Sequence, residues 1–416
     1  MKRILTGRGA EALVRRMETR GAISLAAVEK QVRRIVNNVR KDGDRSLRRY
    51  AEKWDGLVGN QALRLSQEEL ERAWVSTSEE FRRALNVAAG NIRQYCEWQK
   101  PSSWSKTSIA GIEFGQVVRP VASAGCYVPG GRYPLPSTLL MTVIPAQVAR
   151  VENIRVVSPR PAAETLAAAH FLGVSEFYRI GGAQAIAALA YGTQTVPKVD
   201  KIVGPGNLYV TAAKKLVAFD CSIDFLAGPT EVVIVSRTGE ARFIAADLVA
   251  QAEHDLEACS VFITTSKDLA AAVADEMKTR ITANRTARAS WNKHGAILLA
   301  ECPEQAMEFA NRIAPEHITV DERDLNMVRN AGSIFVGDYS PQAGGDYASG
   351  PNHVLPTGGA ARFRGGLSVN DFVKTMSVQH LSRAGLEAIA PAVIALAEAE
   401  GLKAHAESIR VRCARA

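Results

Sequence analysis

The chain has 416 residues, 47% hydrophobic and 23% charged, with 51 basic and 43 acidic side chains for a net charge of +8. These are the proportions of a folded globular protein with length for roughly two or three domains, and they exclude a disordered or fibrous chain. Six cysteines lie scattered without a C-x-x-C pair, which excludes a thiolate zinc cage and a disulfide framework and fits a reducing cytoplasm.

Met1 to Arg8 is basic but lacks the apolar run of a signal peptide. No uncharged apolar stretch reaches the roughly 18 residues of a membrane span. The most apolar candidate, Leu139 to Val148, is broken by Pro145 and Gln147. Neither secretion nor membrane insertion is expected. The basic residues are dispersed with few aromatics between them, which suits solubility or an anionic dinucleotide better than a nucleic acid.

Residues 1–100 read as helical. Val28, Val32, Ile35 and Val39 recur at helical spacing among arginines and lysines, and Leu63–Trp74 and Phe81–Trp98 continue the pattern. Short strands are expected near Ile109–Val118. From about residue 121 the texture alternates: strands at Val121–Val128, Asn153–Ser158, Phe177–Ile180 and Val199–Val203, with helices at Ser137–Ala149, Ala162–Leu172, Ala183–Tyr191 and Leu208–Ala218. A βαβ series of this kind gives a parallel sheet between helices.

A second series follows. Strands are expected at Glu231–Ser236, Ser260–Thr265, Ala296–Ala300, His317–Val320 and Ser333–Gly337. Helices are expected at Ala241–His254, Leu269–Asn284, Pro303–Ile313 and Leu325–Asn330. The tail 368–416 reads as mostly helical. The expected fold is therefore α/β, with two Rossmann-like parallel-sheet domains and helical N- and C-terminal segments. The boundaries are drawn at 1–20, at 21–120 with 231–365, at 121–230 as the cofactor-binding domain, and at 366–416.

Three polar constellations carry chemistry. Gln251 and His254 stand three apart at a predicted helix end, on one face, and an amide oxygen and an imidazole both ligate divalent metals. Taken alone, the pair is weak evidence, and a surface or capping role is the more ordinary reading. Glu316-His317 opens a strand after Pro315, where a carboxylate and an imidazole serve as general bases. An exposed Glu and a strand-capping His is the alternative. Gly345 to Pro356 holds Asp346 and His353 among glycine, proline and small residues, a loop with little packing role. An Asx-turn and a solvated histidine also fit it. Three glycine turns, Tyr127-Val128-Pro129-Gly130-Gly131, Gly181-Gly182-Ala183-Gln184 and Gly204-Pro205-Gly206-Asn207, each join a strand to a helix where amide N–H groups favour an anion. None is the G-x-G-x-x-G fingerprint, and a tight βα turn needs the same residues.

Taken together, these motifs resemble histidinol dehydrogenase. The resemblance runs from Lys41-Asp42-Gly43-Asp44 to Ala404-His405 and includes Val199 to Asn207, Ala227-Gly228-Pro229-Thr230-Glu231, Gln251-Ala252-Glu253-His254, Ala314 to His317 and Gly345 to Pro356. It implies a zinc-dependent enzyme that oxidises L-histidinol through the aldehyde to L-histidine with two NAD+, working as an intertwined homodimer. It implies Gln251, His254 and Asp346 as zinc ligands, with His405 donated by the other chain. Glu316 and His317 would be the catalytic bases. Substrate contacts would come from Thr230, His353 and Glu400 beside the zinc ligands and His317, with Glu400 also from the neighbour. Tyr127, Gln184 and Asn207 would contact NAD+. Two positions depart from the family: Thr230 stands where serine is common, and Gln342 where many relatives have glutamate. The second leaves open a related dehydrogenase acting on another small alcohol, such as a sulfonated propanediol. A zinc hydrolase using Glu316 would match the ligand set but has no use for the glycine turns.

Overall fold

Val28, Val32, Ile35, Val36 and Val39 form one apolar face of a helix because their spacing follows the helical period, and all five are buried. The computed structural model describes residues 4–20, 25–130 and 134–414; residues 1–3 and Gly131 of the first glycine turn lie outside them. By contacts the chain divides into two compact units, residues 1–99 with 122–372, and residues 100–121 with 373–416.

The larger unit begins with β1 (Leu5–Thr6) and α1 (Gly7–Glu18), followed by α2 (Ala26–Asp42), α3 (Asp44–Tyr50), a π-helical turn at Ala51–Asp55, α4 (Gln67–Ser76) and α5 (Glu79–Gln99). Ser66 and Glu69 form a reciprocal capping box that starts α4. In the smaller unit come β2 (Trp104–Ile109) and β3 (Ile112–Pro120). The larger unit resumes with β4 (Ser123–Tyr127), α6 (Pro136–Val148), β5 (Asn153–Val157), α7 (Ala163–Phe171), β6 (Glu176–Tyr178), α8 (Gly182–Tyr191), β7 (Lys201–Val203), α9 (Leu208–Val217) and β8 (Ser222–Ile223). Its second series is β9 (Glu231–Val235), α10 (Ala241–Ala252), β10 (Cys259–Thr264), α11 (Lys267–Arg280), α12 (Arg285–His294), β11 (Ala296–Leu299), α13 (Pro303–Ile313), β12 (His317–Val320), β13 (Ser333–Val336) and α14 (Gln342–Tyr347). The smaller unit ends the chain with β14 (Val373–Leu381), α15 (Arg383–Ala399) and α16 (Lys403–Cys413).

Both sheets of the larger unit are parallel. One runs β6-β5-β4-β7-β8 and the other β1-β11-β10-β9-β12-β13. The five-stranded sheet begins in its middle at β4, and the six-stranded sheet, apart from its edge strand β1, begins at β9; each builds outward to one side and then returns to build the other, so the strand order reverses between β4 and β7 and again between β9 and β12. A crevice opens at the carboxyl ends of strands flanking such a reversal, because the connecting loops part to opposite faces.

Strand residues alternate between two cores. Val233 and Val235 pack with α1 and α13 on one face, and Val232 and Ile234 pack with α10, α11 and α12 on the other. Burying each Val or Ile contributes about 1.5–3 kcal/mol. The apolar face of α2 packs with α8 and α9 of the five-stranded sheet. Packing thus attaches this helical stretch to residues 121–230, where the expectation joined 21–120 to 231–365.

In the smaller unit β14, β3 and β2 form an antiparallel sheet. The stretch Val373–Leu381 was expected within a helical tail; Val373, Thr375 and Val378 favour extended backbone, and pairing with β3 decides it. Other elements differ from expectation: β1, β8 and α12 were not anticipated, a 3-10 segment at Glu322–Met327 replaces the helix expected at Leu325–Asn330, and α14 takes in Gly345 and Asp346 of the supposed loop. No helix among the described residues is long and apolar enough to cross a membrane.

Candidate active site

Glu316 and His317 sit where β12 enters its sheet, and β12 runs beside β9 with His317 opposite Val232. That register brings the start of β9 against them. Glu316 Oε2 accepts hydrogen bonds from the Glu231 backbone N–H at 3.0 Å and from Thr230 Oγ1 at 2.5 Å. His317 Nδ1 lies 3.2 Å from the Glu231 carbonyl oxygen and 3.6 Å from Glu316 Oε2, and its Nε2 lies 3.5 Å from Asp346 Oδ1. Both side chains are buried. The carbonyl contact assigns the proton of the neutral ring to Nδ1, which makes Nε2, facing Asp346, the position that gains and loses the second proton.

Burial pushes the Glu316 carboxyl up to about 7, against the opposing pull of His317, Thr230 and the Glu231 N–H. Burial alone would lower His317, but the carboxylates of Glu316 and Asp346 outweigh it and lift the imidazole to about 9. Displaced acid–base groups of this kind, held against one another in a buried site, are suited to proton transfer. The Glu231 carboxylate itself is occupied by Arg20 and by the Gly358 N–H.

A continuous line of contacts extends from this pair. Gln251, in the last turn of α10 and fully buried, donates its amide N–H to Thr230 Oγ1. Asp346 lies in α14; burial opposes its ionisation, but His317, His353 and His254 hold its carboxyl below the usual range. His353 Nδ1 is 2.6 Å from the Asp346 carbonyl oxygen and its Nε2 3.4 Å from Thr138 Oγ1, with burial keeping the ring neutral below the ordinary histidine range. Gln251, Thr230, Glu316, His317, Asp346 and His353 are therefore linked in one chain of neighbours.

His254 is exposed and lies past the end of α10, in a bend. The helix stops at Ala252, so Gln251 and His254 do not share a helical face as their spacing suggested. Glu400 caps the end of α15 and His405 lies in the first turn of α16, both exposed and in the smaller unit. Among the described residues no group of three or more His, Cys, Asp or Glu side chains could hold a metal. A ligand set with a glutamine falls outside that description. Gln251 Oε1 is a buried acceptor without a hydrogen-bond partner, an open position for a cation. That open oxygen, an amide donor of the kind divalent metals accept, is the feature here that fits a metal.

The candidate cofactor residues gather at the reversal of the five-stranded sheet. Tyr127 ends β4, and its hydroxyl oxygen accepts the Gly182 N–H at 3.1 Å. Gln184 lies in the first turn of α8. Asn207 caps α9, its Oδ1 accepting the N–H groups of Tyr209 at 3.0 Å and Val210 at 3.2 Å. Gly204 has φ +111, and a Cβ there would fall 2.1 Å from the Tyr127 carbonyl oxygen, so only glycine fits the turn.

Three buried charged residues around these turns gave no sequence signal. Asp55 Oδ2 accepts the Gly181 N–H and the Gln184 Nε2–H, both at 3.0 Å. Lys214 pairs with Asp224 and donates to the Gly204 carbonyl oxygen at 3.0 Å, while Asp224 Oδ2 accepts the Gly204 N–H at 2.7 Å. None belongs to a recognisable motif, and only the fold brings Asp55 to a turn more than a hundred residues away.

The family model "Histidinol dehydrogenase" matches residues 18–413. The chain is 47% identical to the histidinol dehydrogenase of Methanothermobacter thermautotrophicus, covering 91% of this chain and 92% of that one. It is 43% identical to that of Geobacter sulfurreducens, covering 94% and 95%. The crystal structure of histidinol dehydrogenase from Elizabethkingia anophelis superposes with a TM-score of 0.94 at 32% identity, over 99% of this chain and 97% of that one. An acetylating aldehyde dehydrogenase from Geobacillus thermoglucosidasius, with a TM-score of 0.50 at 12% identity over 89% and 94%, shares the fold alone.

Parallel α/β layers, with a buried acid–base pair on one and glycine turns at the reversal of the other, define an α/β dehydrogenase. The chain belongs to the histidinol dehydrogenase family.

Proposed function

We propose that the chain oxidises L-histidinol to L-histidine by way of L-histidinal, with two NAD+ consumed in turn. The observation that carries this reading is the line Gln251–Thr230–Glu316–His317–Asp346–His353, buried at Gln251, Glu316 and His317, which ends in an open acceptor at Gln251 Oε1.

Gln251, His254 and Asp346 would hold zinc, with His405 and Glu400 reaching in from the second chain of a homodimer. When bound, zinc supplies a positive centre that takes the nitrogens of the substrate and orients its reactive carbon. Tyr127, Gln184 and Asn207 would contact NAD+ at the reversal of the five-stranded, Rossmann-like sheet. Thr230 and His353 would hold the substrate.

With zinc on Asp346 drawing off one of the two carboxylates that lift the ring, His317 Nε2 would take the alcohol proton as hydride passes to the first NAD+. Nδ1–H stays on the Glu231 carbonyl and fixes the ring. Glu316 then accepts a proton from the water that adds to the aldehyde carbon, and the hydrate loses its hydride to the second NAD+. The raised Glu316 carboxyl suits both taking and returning a proton near neutrality. A biosynthetic role and six free cysteines are consistent with a cytoplasmic enzyme.

One observation keeps a second substrate in play. Gln342 is buried and neutral four residues before Asp346, its Nε2 donating to the Asp247 carbonyl at 2.6 Å, where many relatives of the family have glutamate. A small alcohol without an amine, such as a sulfonated propanediol, is the alternative. Purified protein with zinc and NAD+ offered both alcohols separates them. NADH from histidinol at far lower concentration than from the sulfonate supports the first reading, and the reverse order overturns it.

A further inference from the structure

The N-terminus of a helix presents N–H groups without helical partners, and with the helix dipole it attracts an anion. At α8, a helix of 10 residues after a glycine turn, this seat is already filled from within the chain. The Gly181 N–H and the Gln184 side-chain amide both donate to Asp55 Oδ2, and the Gly182 N–H donates to the Tyr127 hydroxyl. Asp55 is 6% exposed, Gln184 and Tyr127 each 2%. It arrives from the end of the π-helical turn that follows α3, not from the sheet's own loops.

We infer that Asp55 is the positioning residue of the cofactor edge: its carboxylate stands in for an external anion at α8 and locks Tyr127 and Gln184 in place. Three donors that would cradle a phosphate are spent on this internal network. A phosphate brought to the same turn meets a fixed negative charge, so the pyrophosphate of the dinucleotide is directed away from α8. This rests on the proposed use of Tyr127 and Gln184 for NAD+; Asp55 itself need not touch cofactor or substrate.

The test begins with Asp55→Ala, which empties the seat. In the absence of NAD+ and zinc, acetate should raise the melting temperature of Asp55→Ala by several degrees and leave the unsubstituted protein unmoved, because only the variant gains a site that binds the folded state. In the assay, Asp55→Ala should raise KM for NAD+ about tenfold or more while KM for histidinol at saturating NAD+ stays within about twofold, with acetate restoring part of the loss. If Asp55→Ala does not fold, Asp55→Asn carries the test. It keeps one acceptor oxygen for two donors and should raise KM for NAD+ by a smaller factor without changing that for histidinol.

An unchanged KM for NAD+ in the variant that folds overturns the inference. So does a parallel rise in both KM values with no response to acetate, which marks general loosening. If the unsubstituted protein forms no NADH from histidinol, the proposed function fails, and the acetate response of Asp55→Ala still decides whether Asp55 fills an anion seat.

Discussion

Thr230 donates its hydroxyl hydrogen to Glu316 Oε2 at 2.5 Å and receives the Gln251 amide on the same oxygen. One hydroxyl therefore ties the proposed base to the proposed metal ligand. Thr230→Val keeps the shape and removes the hydroxyl, leaving Glu316 and Gln251 each one partner short. Losing a hydrogen bond to a charged group costs about 1.5–3 kcal/mol, or roughly 10- to 100-fold in kcat/KM. Thr230→Ser keeps the hydroxyl and should stay within a few-fold of the parent. Steady-state kinetics of the two variants decide the point; equal losses in both would mean that the methyl group matters rather than the bond.

Gln251→Leu should separate stability from metal binding. The buried Oε1 has no partner, so removing it relieves a cost of about 1–3 kcal/mol that offsets the lost bond to Thr230. The zinc-free variant should melt within a few degrees of the parent and retain little zinc after dialysis, read by elemental analysis. Full zinc content would remove Gln251 from the ligand set.

Lys214 and Asp224 are almost fully buried and brace both the N–H and the carbonyl of Gly204. Lys214→Met strands the Asp224 charge in the interior, at a cost of about 3–5 kcal/mol. Lys214→Met with Asp224→Asn should recover much of that, since neither charge is then left alone. Chemical denaturation of the two variants tests the sign: a double variant no more stable than the single one contradicts it.

Asp247 gives a pH-dependent prediction. Burial raises its carboxyl from 3.8 to about 6, so the folded chain holds a proton there that the unfolded chain has released. Stability must then fall as pH rises from about 4 to about 6. Asp247→Asn removes that loss. It should stabilise the protein at pH above 6, by on the order of 1 kcal/mol after allowance for solvent access, and change nothing below pH 4. Melting curves across that range are the measurement; a constant difference at every pH would assign the effect to packing.

How much of this was legible before the fold was known depended on distance along the chain. The two α/β series were readable because strand and helix periods alternate locally, and β12 and α13 fall where the pattern put them. Glu316-His317 was legible as a polar pair at a strand's entry, and the resemblance extended it to Gln251, Asp346 and His353. Thr230 as the hydroxyl between Glu316 and Gln251 was not legible, because its partners lie 86 and 21 residues away. Asp55 was hidden in the same way inside a helical stretch. Val373–Leu381 misread as helix because its strand is made by pairing with β3 rather than by its own sequence alone.

The division of labour between His317 and Glu316 is tested most directly by counting NADH formed per histidinol consumed in Glu316→Gln, with a carbonyl trap for the aldehyde. The parent should yield two equivalents. Glu316→Gln should form the first at a rate near the parent's and stall before the second, with aldehyde in the trap, while His317→Asn should be slow from the first step. Two equivalents from Glu316→Gln at a uniformly reduced rate, with no aldehyde trapped, would contradict the assignment.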